Sequence, residues 1–396
     1  MDAARVIDRC VTLAACTEDP GKITRTFLSP PMREVHRLVG RWMSEAGMQV
    51  SVDAVGNIRG VWGSGPRLMI GSHLDTVPHA GAFDGILGVM LGIELVEAVK
   101  DRALVPYGIP APYGIEVVGF SDEEGVRFGV PFIGSRALVG DPVMDDTVLE
   151  AIRAFDLDPD EIPKAAIGKD IKGYLEFHIE QGPVLEENQL ALGVVDAIVG
   201  QARAVVEFHG KAGHAGTTPM ESRKDALAAA AEWIAVVEKV AIEEQLVATV
   251  GRLDVRPGAV NVIPGVARAT LDVRHKDTLK LERAMKLLET SAEEISTRRR
   301  IKVCWEQRSV QAAVAMDPAM TEVLASAVKA ACCQPYRLSS GAGHDAMILA
   351  RKVPAAMLFL RSPGGISHHP DERVNEGDVA SALAAGKAFL ETWRPA

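Results

Sequence analysis

The sequence predicts an α/β protein in which a mostly parallel sheet forms the larger domain and a smaller α+β domain is inserted into it. In the first third of the chain and near its C-terminus, short apolar runs alternate with helical patterns, as in parallel sheets covered by helices. Between about 200 and 315, apolar and polar residues alternate instead, which is typical of half-buried antiparallel strands. The length of 396 residues also exceeds what one core usually supports.

The elements of the larger domain follow from these patterns in chain order. A helical pattern of apolar residues ends at Gly47, and short apolar runs bounded by polar or glycine-containing sequence indicate buried strands. The segment 101–114 is rich in proline and glycine and predicts a loop. The expected elements are a helix at 32–47, a strand at 67–72, a helix at 85–100, a strand at 115–121, a strand at 354–361 and a helix at 377–393.

The inserted domain has a different pattern. In ARATLDVRH the apolar side chains fall on one face of the strand, and they are Ala267, Ala269, Leu271 and Val273. Two helical patterns, 221–245 and 277–298, accompany such strands. We therefore expect the larger domain to comprise 1–199 and 316–396, and the inserted domain to comprise 200–315.

Composition excludes several classes of function. The formal net charge of −10 argues against binding to a nucleic-acid backbone, which requires a basic surface. No stretch reaches the roughly 18 consecutive apolar residues of a transmembrane helix, and the start MDAARVIDRC lacks the apolar core of a signal peptide. The five cysteines are odd in number and form no CxxC pair, which favours a reduced, cytoplasmic protein.

Six side chains that suit metal binding or acid–base chemistry stand out by their positions. Most of them directly follow a predicted strand, and open α/β sheets bind ligands at the carboxyl ends of parallel strands. Each lies beside glycine or turn residues, in the order HxD, DG, DEEG, HxEQG and SHxP. A single histidine or EE pair is usually an ordinary surface feature, but five such motifs in one chain are not a coincidence. The six residues are His73, Asp84, Glu123, Glu124, His178 and His368.

These residue types predict a centre with two metal ions. Asp84 can bridge two cations about 3.5–4 Å apart, so each cation needs two further ligands from the protein. We assign His73 and His178 to one cation, and Glu124 and His368 to the other. Imidazole and carboxylate ligands together suit Zn²⁺ or Mn²⁺, with Co²⁺ or Ni²⁺ also possible.

The remaining acidic residues predict how a water molecule is activated. Of two adjacent glutamates only one can ligate comfortably, so Glu123 is free to act as the general base. Asp75, two residues after His73, is placed to orient that histidine. His369 could compete with its neighbour as the ligand, but the SHxP pattern favours His368. His36 is expected on the surface of a helix.

The motifs together resemble a known family. GSHLDTVPHAGAFDG, FSDEEGVRFG, EFHIEQGPVLE, GKAGHAGTTPM, DVRPGAVNVIPG, SGAGHDA and GGISHHPDE are similar to motifs of the di-metal aminoacylase/carboxypeptidase-type amidohydrolases. Within them they resemble the hydantoinase/carbamoylase branch, which includes N-carbamoyl-L-amino-acid hydrolases and allantoate amidohydrolases. The resemblance covers about residues 55–375. In ordinary peptidases of the wider family the position of His178 is often a carboxylate, so histidine favours the ureido-acid branch.

The resemblance implies the same ligand set and adds roles for further residues. His214 resembles a histidine that reaches into the active site of a partner subunit and stabilises the oxyanion, which implies a homodimer. Asn261 and Arg274 resemble the pair that holds the substrate, with Arg274 on its carboxylate. Without the resemblance, His214 could be a solvated loop residue and Arg274 an ion-paired surface residue. Further substrate contacts are implied for Gln181, Gly343 and His344.

The favoured hypothesis is a metal-dependent amidohydrolase that cleaves the carbamoyl C–N bond of an N-carbamoyl-L-amino acid or an allantoate-like ureido acid. The larger domain would then be the di-metal catalytic domain and the inserted one a lid and dimerisation domain. An aminopeptidase, dipeptidase or aminoacylase with the same metal site is the alternative. A relative that has lost catalysis is disfavoured, because such proteins usually lose the base or a ligand and every position is filled here.

Overall fold

The computed structural model describes residues 1–100, 113–142 and 145–395. The predicted loop 101–114 lies, apart from its last two residues, outside the described residues. The chain divides into two compact units: Met1–Asp196 with Met316–Ala396, and Ala197–Ala315. No helix in the described part of the chain is long and apolar enough to span a membrane.

The strands and helices are numbered in chain order. The strands are β1 (Gln49–Val52), β2 (Ile58–Trp62), β3 (Arg67–His73), β4 (Gly114–Phe120), β5 (Ile171–Ile179), β6 (Leu192–Ile198), β7 (Gly200–His209), β8 (Gly213–His214), β9 (Val247–Arg256), β10 (Val262–Ile263), β11 (Val266–His275), β12 (Lys302–Gln311), β13 (Val314–Ala315), β14 (Tyr336–Ser340) and β15 (Ala355–Leu360). The α-helices are α1 (Ala3–Ala14), α2 (Pro30–Glu45), α3 (Ile86–Val99), α4 (Ile133–Leu138), α5 (Asp146–Ala154), α6 (Val184–Glu187), α7 (Ala226–Glu244), α8 (Thr278–Arg298), α9 (Pro318–Ala330), α10 (Asp345–Leu349) and α11 (Glu376–Thr392).

The first unit is built on a mixed sheet with a parallel centre. Its strand order is β1-β2-β4-β3-β5-β15-β6, and β14 also pairs with β6. The four central strands β4, β3, β5 and β15 are parallel, whereas β1, β2 and β6 pair antiparallel at the two sides. Strands β4 and β15 are buried along their whole length, as expected for strands covered on both faces. The predicted α/β class is confirmed.

Helix α3 lies against the centre of this sheet, and glycines make the close approach possible. A Cβ atom on Gly88 would lie 2.1 Å from the carbonyl oxygen of Phe177 in β5, so any side chain would push the helix away. Gly85, just before the helix, has a φ of 73°, and a Cβ there would lie 2.4 Å from the ring of His73. The start of α3 is therefore held directly beside the end of β3.

The second unit is a four-stranded antiparallel sheet of order β12-β7-β11-β9, covered on one face by α7 and α8. The predicted inward face of β11 is confirmed, since its four apolar side chains are at most 2% exposed. Trp233 of α7 lies in this core against Phe208 and Trp305, and its indole N–H donates to the carbonyl of Leu288 in α8 at 3.0 Å. A two-stranded ribbon of β8 and β10 also belongs to this unit.

The six elements predicted for the larger domain are all present, and their ends differ from the predictions by at most two residues. The placement of His36 on a helix surface holds only in part, because the residue is half-buried. Its ring packs edge-on against Phe155 with 5.4 Å between ring centroids, and its Nε2 is buried with no hydrogen-bond partner. The helix pattern of 32–47 did not reveal this, because the covering residue comes from more than 100 positions further along the chain.

Candidate metal centre

The predicted ligands meet at one edge of the parallel strands. His73 is the last residue of β3, His178 lies one residue before the end of β5, and the Glu123–Glu124 pair follows β4. His368 follows β15, and Asp84 lies two residues before α3. Because β4, β3, β5 and β15 are neighbours and parallel, their carboxyl ends bring these side chains together.

The spacing of the ligand atoms fits metal coordination. The two carboxylate oxygens of Asp84 face different histidines: Oδ1 lies 3.3 Å from His178 Nε2, and Oδ2 lies 3.1 Å from His368 Nε2. His73 Nε2 lies 3.4 Å from His178 Nε2, and Glu124 Oε1 lies 3.4 Å from His368 Nε2. Ligands bound tetrahedrally at 2.0–2.1 Å are separated by about 3.3–3.4 Å. The donor set therefore fits two cations that share Asp84.

The two buried imidazoles present their Nε2 lone pairs to this centre. His73 Nδ1 lies 3.0 Å from the carbonyl oxygen of Asp75, and His178 Nδ1 lies 2.9 Å from that of Ile179. A carbonyl can only accept a hydrogen bond, so each Nδ1 carries the proton and each Nε2 is the free nitrogen. Backbone contacts thus set the tautomer that a metal ligand needs.

Asp75 joins two of the ligand-bearing segments. Its carboxylate accepts the backbone N–H of Glu123 at 2.9 Å and that of Glu124 at 3.1 Å, and one of its oxygens also lies 3.4 Å from His73 Nδ1. Asp75 is 1% exposed, so these contacts are shielded from water. Its carboxylate therefore fixes the adjacent glutamates relative to His73.

The three histidines of the centre differ in the direction in which their pKa values are shifted. Burial lowers the pKa of His178 to about 4, against the opposing charge of Asp84. Hydrogen bonds that His368 donates to Asp84 and then to Glu124 raise its pKa to about 10. Burial opposes the charged form of His73, but the hydrogen bond and charge of Asp75 outweigh it and raise its pKa well above the ordinary value.

Glu123 is the buried acid of the centre. Its carboxylate lies within 4.8 Å of ligand atoms of His73 and Glu124, and the residue is 8% exposed. Burial raises its pKa well above the ordinary range, and the charges of Glu124, Asp345 and Asp75 add to the effect. A carboxylate with a raised pKa at the edge of a metal site can hold a proton and release it again.

Gln181 also reaches the centre, and the contact differs from a simple substrate contact. Its side-chain amide N–H₂ donates to both oxygens of Asp84, at 3.0 and 3.2 Å, and its backbone N–H donates to Ser362 Oγ at 3.0 Å. Its Oε1 is buried without a hydrogen-bond partner. Gln181 has a φ of 61°, a left-handed conformation that turns the chain directly after β5.

His344 lies behind the ligand His178, and Gly343 directly precedes it in the chain. The His344 ring is 1% exposed, contacts the ring of His178 with 4.4 Å between centroids, and lies 2.8 Å from Ser340 Oγ through Nε2. Gly343 has no room for a side chain, since a Cβ would lie 2.9 Å from the Phe132 ring. His369 points away, with its ring nitrogen 3.6 Å from exposed Asp371, so His368 is the residue that faces Asp84.

The other predicted site residues belong to the second unit. His214 in β8 pairs with Val262 in β10, and the backbone N–H of Ala215 donates to the carbonyl of Asn261 at 3.0 Å, so His214 and Asn261 lie side by side. His214 Nδ1 accepts the backbone N–H of Gly216 at 3.0 Å, which leaves the proton of the neutral ring on the outward Nε2. Arg274 in β11 bonds Asp272 at 2.9 Å.

One residue of the centre was not predicted. Glu372 is 5% exposed, and its carboxylate accepts the backbone N–H groups of Phe83 and Asp84 at 2.9 and 3.1 Å. Burial, together with the charge of Asp84, raises its pKa to about 7. The only sequence signal was its place in GGISHHPDE, four residues after His368.

Comparisons with known proteins identify relatives of this chain. A model of peptidase family M20/M25/M40 matches residues 69–392. Allantoate deiminase 1 of Glycine max is 37% identical over 431 residues, covering 97% of this chain and 88% of that protein. The N-carbamoyl-L-amino acid amidohydrolase of Geobacillus stearothermophilus is 38% identical over 410 residues, covering 98% of each. A solved hydantoinase/carbamoylase family amidase from Burkholderia multivorans has a TM-score of 0.90 at 30% identity, covering 100% of this chain and 99% of that one.

Proposed function

The chain belongs to peptidase family M20/M25/M40, and we propose that it is an amidohydrolase that cleaves the carbamoyl C–N bond of a ureido acid. The substrate class is an N-carbamoyl-L-amino acid or an allantoate-like ureido acid, and the products include ammonia and CO₂. The resemblance predicted from the motifs is confirmed by the relatives, two of which are named for these reactions and align along nearly the whole chain. The observation that carries the proposal is the set of ligand spacings around Asp84, 3.1–3.4 Å, within such a chain.

The metal ligands follow the spacing. His73, Asp84 and His178 would hold one cation, and Asp84, Glu124 and His368 the other. When bound, two divalent cations supply Lewis acidity that polarises the carbamoyl group and makes water more acidic. We propose Zn²⁺ or Mn²⁺, with Co²⁺ or Ni²⁺ as alternatives, because the imidazole and carboxylate donors suit all four.

Glu123 acts as the acid–base group in this proposal. It takes a proton from the attacking water at its carboxylate and later gives that proton to the nitrogen that leaves. Its position supports both steps, because the buried carboxyl group lies within 4.8 Å of ligand atoms of His73 and Glu124 and is shielded from bulk water. Asp75 keeps Glu123 in place through its backbone N–H.

The second unit supplies the groups that hold the substrate. Arg274 would bind the substrate carboxylate through its guanidinium, and Asn261 would donate to the same end of the molecule. His214 would stabilise the oxyanion of the tetrahedral intermediate, for which its outward Nε2–H is a suitable donor. Following the family pattern, His214 would serve the site of a partner subunit, so we propose a homodimer with this unit as lid and dimerisation domain.

The other residues predicted to contact substrate have different roles in this proposal. Gln181 is placed to touch a substrate that approaches Asp84, since its amide already lies against that carboxylate. Gly343 would line the substrate cleft, as the family pattern implies. The buried ring of His344 packs against the ring of His178, so His344 is better placed to orient His178 than to contact the substrate. We place the protein in the cytoplasm, because all five cysteines are free thiols.

Ammonia release from a panel of ureido acids tests the proposal. The panel holds allantoate, ureidoglycolate and N-carbamoyl-L-amino acids with different side chains, each assayed after loading with Zn²⁺, Mn²⁺ or Co²⁺. We expect release from at least one class, and none from the Glu123→Gln enzyme prepared in the same way. If no ureido acid releases ammonia under any metal while peptide-like amides are hydrolysed, the proposal fails and the alternative of an aminopeptidase, dipeptidase or aminoacylase stands.

A further inference from the structure

We propose that Glu372 is a positioning residue of the metal centre, which holds the segment bearing Asp84 against the segment bearing His368. It would thereby set the ligand spacing for one cation in particular, the one assigned to Asp84, Glu124 and His368, here called the second cation. This inference rests on the two-metal centre of the proposed function, and it adds a residue that neither the motifs nor the ligand set includes.

The hydrogen bonds of Glu372 converge from both segments. One carboxylate oxygen, Oε1, accepts the backbone N–H groups of Phe83 and Asp84 at 2.9 and 3.1 Å. The other oxygen, Oε2, accepts the hydroxyl of Ser367 at 3.2 Å, and that hydroxyl also lies 3.4 Å from Asp84 Oδ2. Ser367 directly precedes His368, so a single carboxylate connects two ligand-bearing loops that are 284 positions apart in the chain.

Packing shows that this connection has little freedom. Glu372 is 5% exposed, and a Cβ atom on Gly81 would lie 2.3 Å from the Cβ of Glu372 and 2.4 Å from its Oε1. The side chain of Glu372 therefore packs directly against the backbone of the loop that leads to Asp84. Asp84 itself is 2% exposed, so its buried backbone N–H depends on this acceptor.

The same contacts predict selectivity between the two cations. Among the described residues, the side chain of Glu372 bonds Phe83, Asp84 and Ser367, and none of these bonds goes to the segments of His73 or His178. Those two histidines are oriented by the backbone carbonyls of Asp75 and Ile179. Asp84 serves both cations and keeps its contact with Gln181. Loss of Glu372 should therefore disturb His368 and the second cation more than the first cation, whose two histidines keep their orientation.

The test compares metal binding in variants of this chain by equilibrium dialysis with Zn²⁺ and by elemental analysis. We expect wild type to bind two cations, and Glu372→Ala to bind the second about 10- to 100-fold more weakly and the first with a clearly smaller loss, because the first shares only Asp84 with the released segments. Glu372→Gln keeps an oxygen that can accept the two N–H groups, so it should rescue most of the second affinity. Glu94→Ala, which removes a 1% exposed glutamate between α1 and α3, should bind both cations normally.

Several results would overturn the inference. One is that Glu372→Ala binds both cations with wild-type affinity, and another is that it binds both equally more weakly. A third is that Glu372→Gln binds the second cation as weakly as Glu372→Ala does. If Glu372→Ala does not fold, Ser367→Ala replaces it and should weaken binding of the second cation more than binding of the first. Unchanged binding of the second cation would also overturn the inference. A wild-type protein that binds fewer than two cations would instead contradict the metal centre of the proposed function.

Discussion

The Nε2 atoms of His73 and His178 lie 3.4 Å apart, although both rings carry their protons on Nδ1. Two lone pairs that face each other at this distance repel unless a cation or a proton lies between them. In the absence of metal, a proton on His73 fills that need, because Asp75 and the nearby carboxylates raise its pKa well above the ordinary value despite burial. Metal and proton therefore compete for the same nitrogen.

This competition predicts that metal loading releases protons. His368 should also be protonated in the metal-free protein at neutral pH, since its pKa is raised to about 10 by Asp84 and Glu124. We expect roughly one proton released for each cation bound at pH 7. Isothermal titration calorimetry in buffers with different ionisation enthalpies measures this number. An apparent enthalpy that does not depend on the buffer would contradict the assignment of both histidines as ligands.

Glu123 and Glu124 are neighbours with different predicted functions, so matched substitutions should separate them. Glu123→Gln should lower kcat by about 10²- to 10⁴-fold and leave two cations bound, because the residue transfers protons. Glu124→Gln should instead lower the affinity for one cation, because its carboxylate lies 3.4 Å from His368 Nε2. Steady-state kinetics and metal analysis on the same preparations check both outcomes. Full activity in Glu123→Gln would remove it from the mechanism.

His214 should complement a defective base if it acts in the site of a partner subunit. His214→Ala alone should lose about 10²- to 10³-fold in kcat, the usual loss for an oxyanion donor. Mixing it with Glu123→Gln subunits produces dimers in which one site has both groups, so activity should return to about a quarter of wild type. Co-expression of the two variants produces this mixture, in which half of the dimers are mixed. Two affinity tags then isolate the mixed dimers, which should have about half of wild-type activity because one of their two sites is complete. A mixture no more active than its separate components would mean that His214 does not act across subunits.

The pKa of His36 leads us to expect that the protein loses stability at acid pH for a reason unrelated to the metal centre. Burial lowers the pKa of His36 to about 4, below the value near 6.5 expected in the unfolded chain. The unfolded state therefore binds more protons between these values, and the free energy of unfolding should fall as the pH drops from about 6.5 to 4. In His36→Gln, the fall in Tm between pH 7 and pH 5 should be smaller, whereas His275→Gln in the second unit should leave it unchanged. An equal fall in Tm between pH 7 and pH 5 in wild type, His36→Gln and His275→Gln would contradict the neutral state of His36.

The sequence predicted the parts of the centre that depend on local signals. His73, Glu123, Glu124 and His368 each follow a recognisable apolar strand, and Asp84 lies at the start of a helix, so position along the chain indicated one edge of the sheet. The hydrogen bonds of Asp75 to the glutamates' backbone could not be read in this way, because the bonded groups are nearly 50 positions apart.

Long-range packing explains what was missed. The function of Glu372 depends on backbone N–H groups nearly 290 positions earlier, and an acid in a polar motif has the same appearance in sequence whether it is exposed or buried. The burial of His36 depends on Phe155 in the same way. The ring of His344 was expected in the cleft, but its contact with His178 comes from the loop after β14, which has no strong apolar pattern.

The central claim is that the centre hydrolyses a ureido group in preference to a peptide-like amide. The most direct measurement is kcat/KM for N-carbamoyl-L-amino acids and allantoate against N-acetyl-L-amino acids and dipeptides of the same side chains, with one metal-loaded preparation. We expect the best ureido acid to exceed every peptide-like amide by a factor on the order of 100 or more, with ammonia as product. A dipeptide or N-acetyl-amino acid hydrolysed faster than every ureido acid would contradict the account.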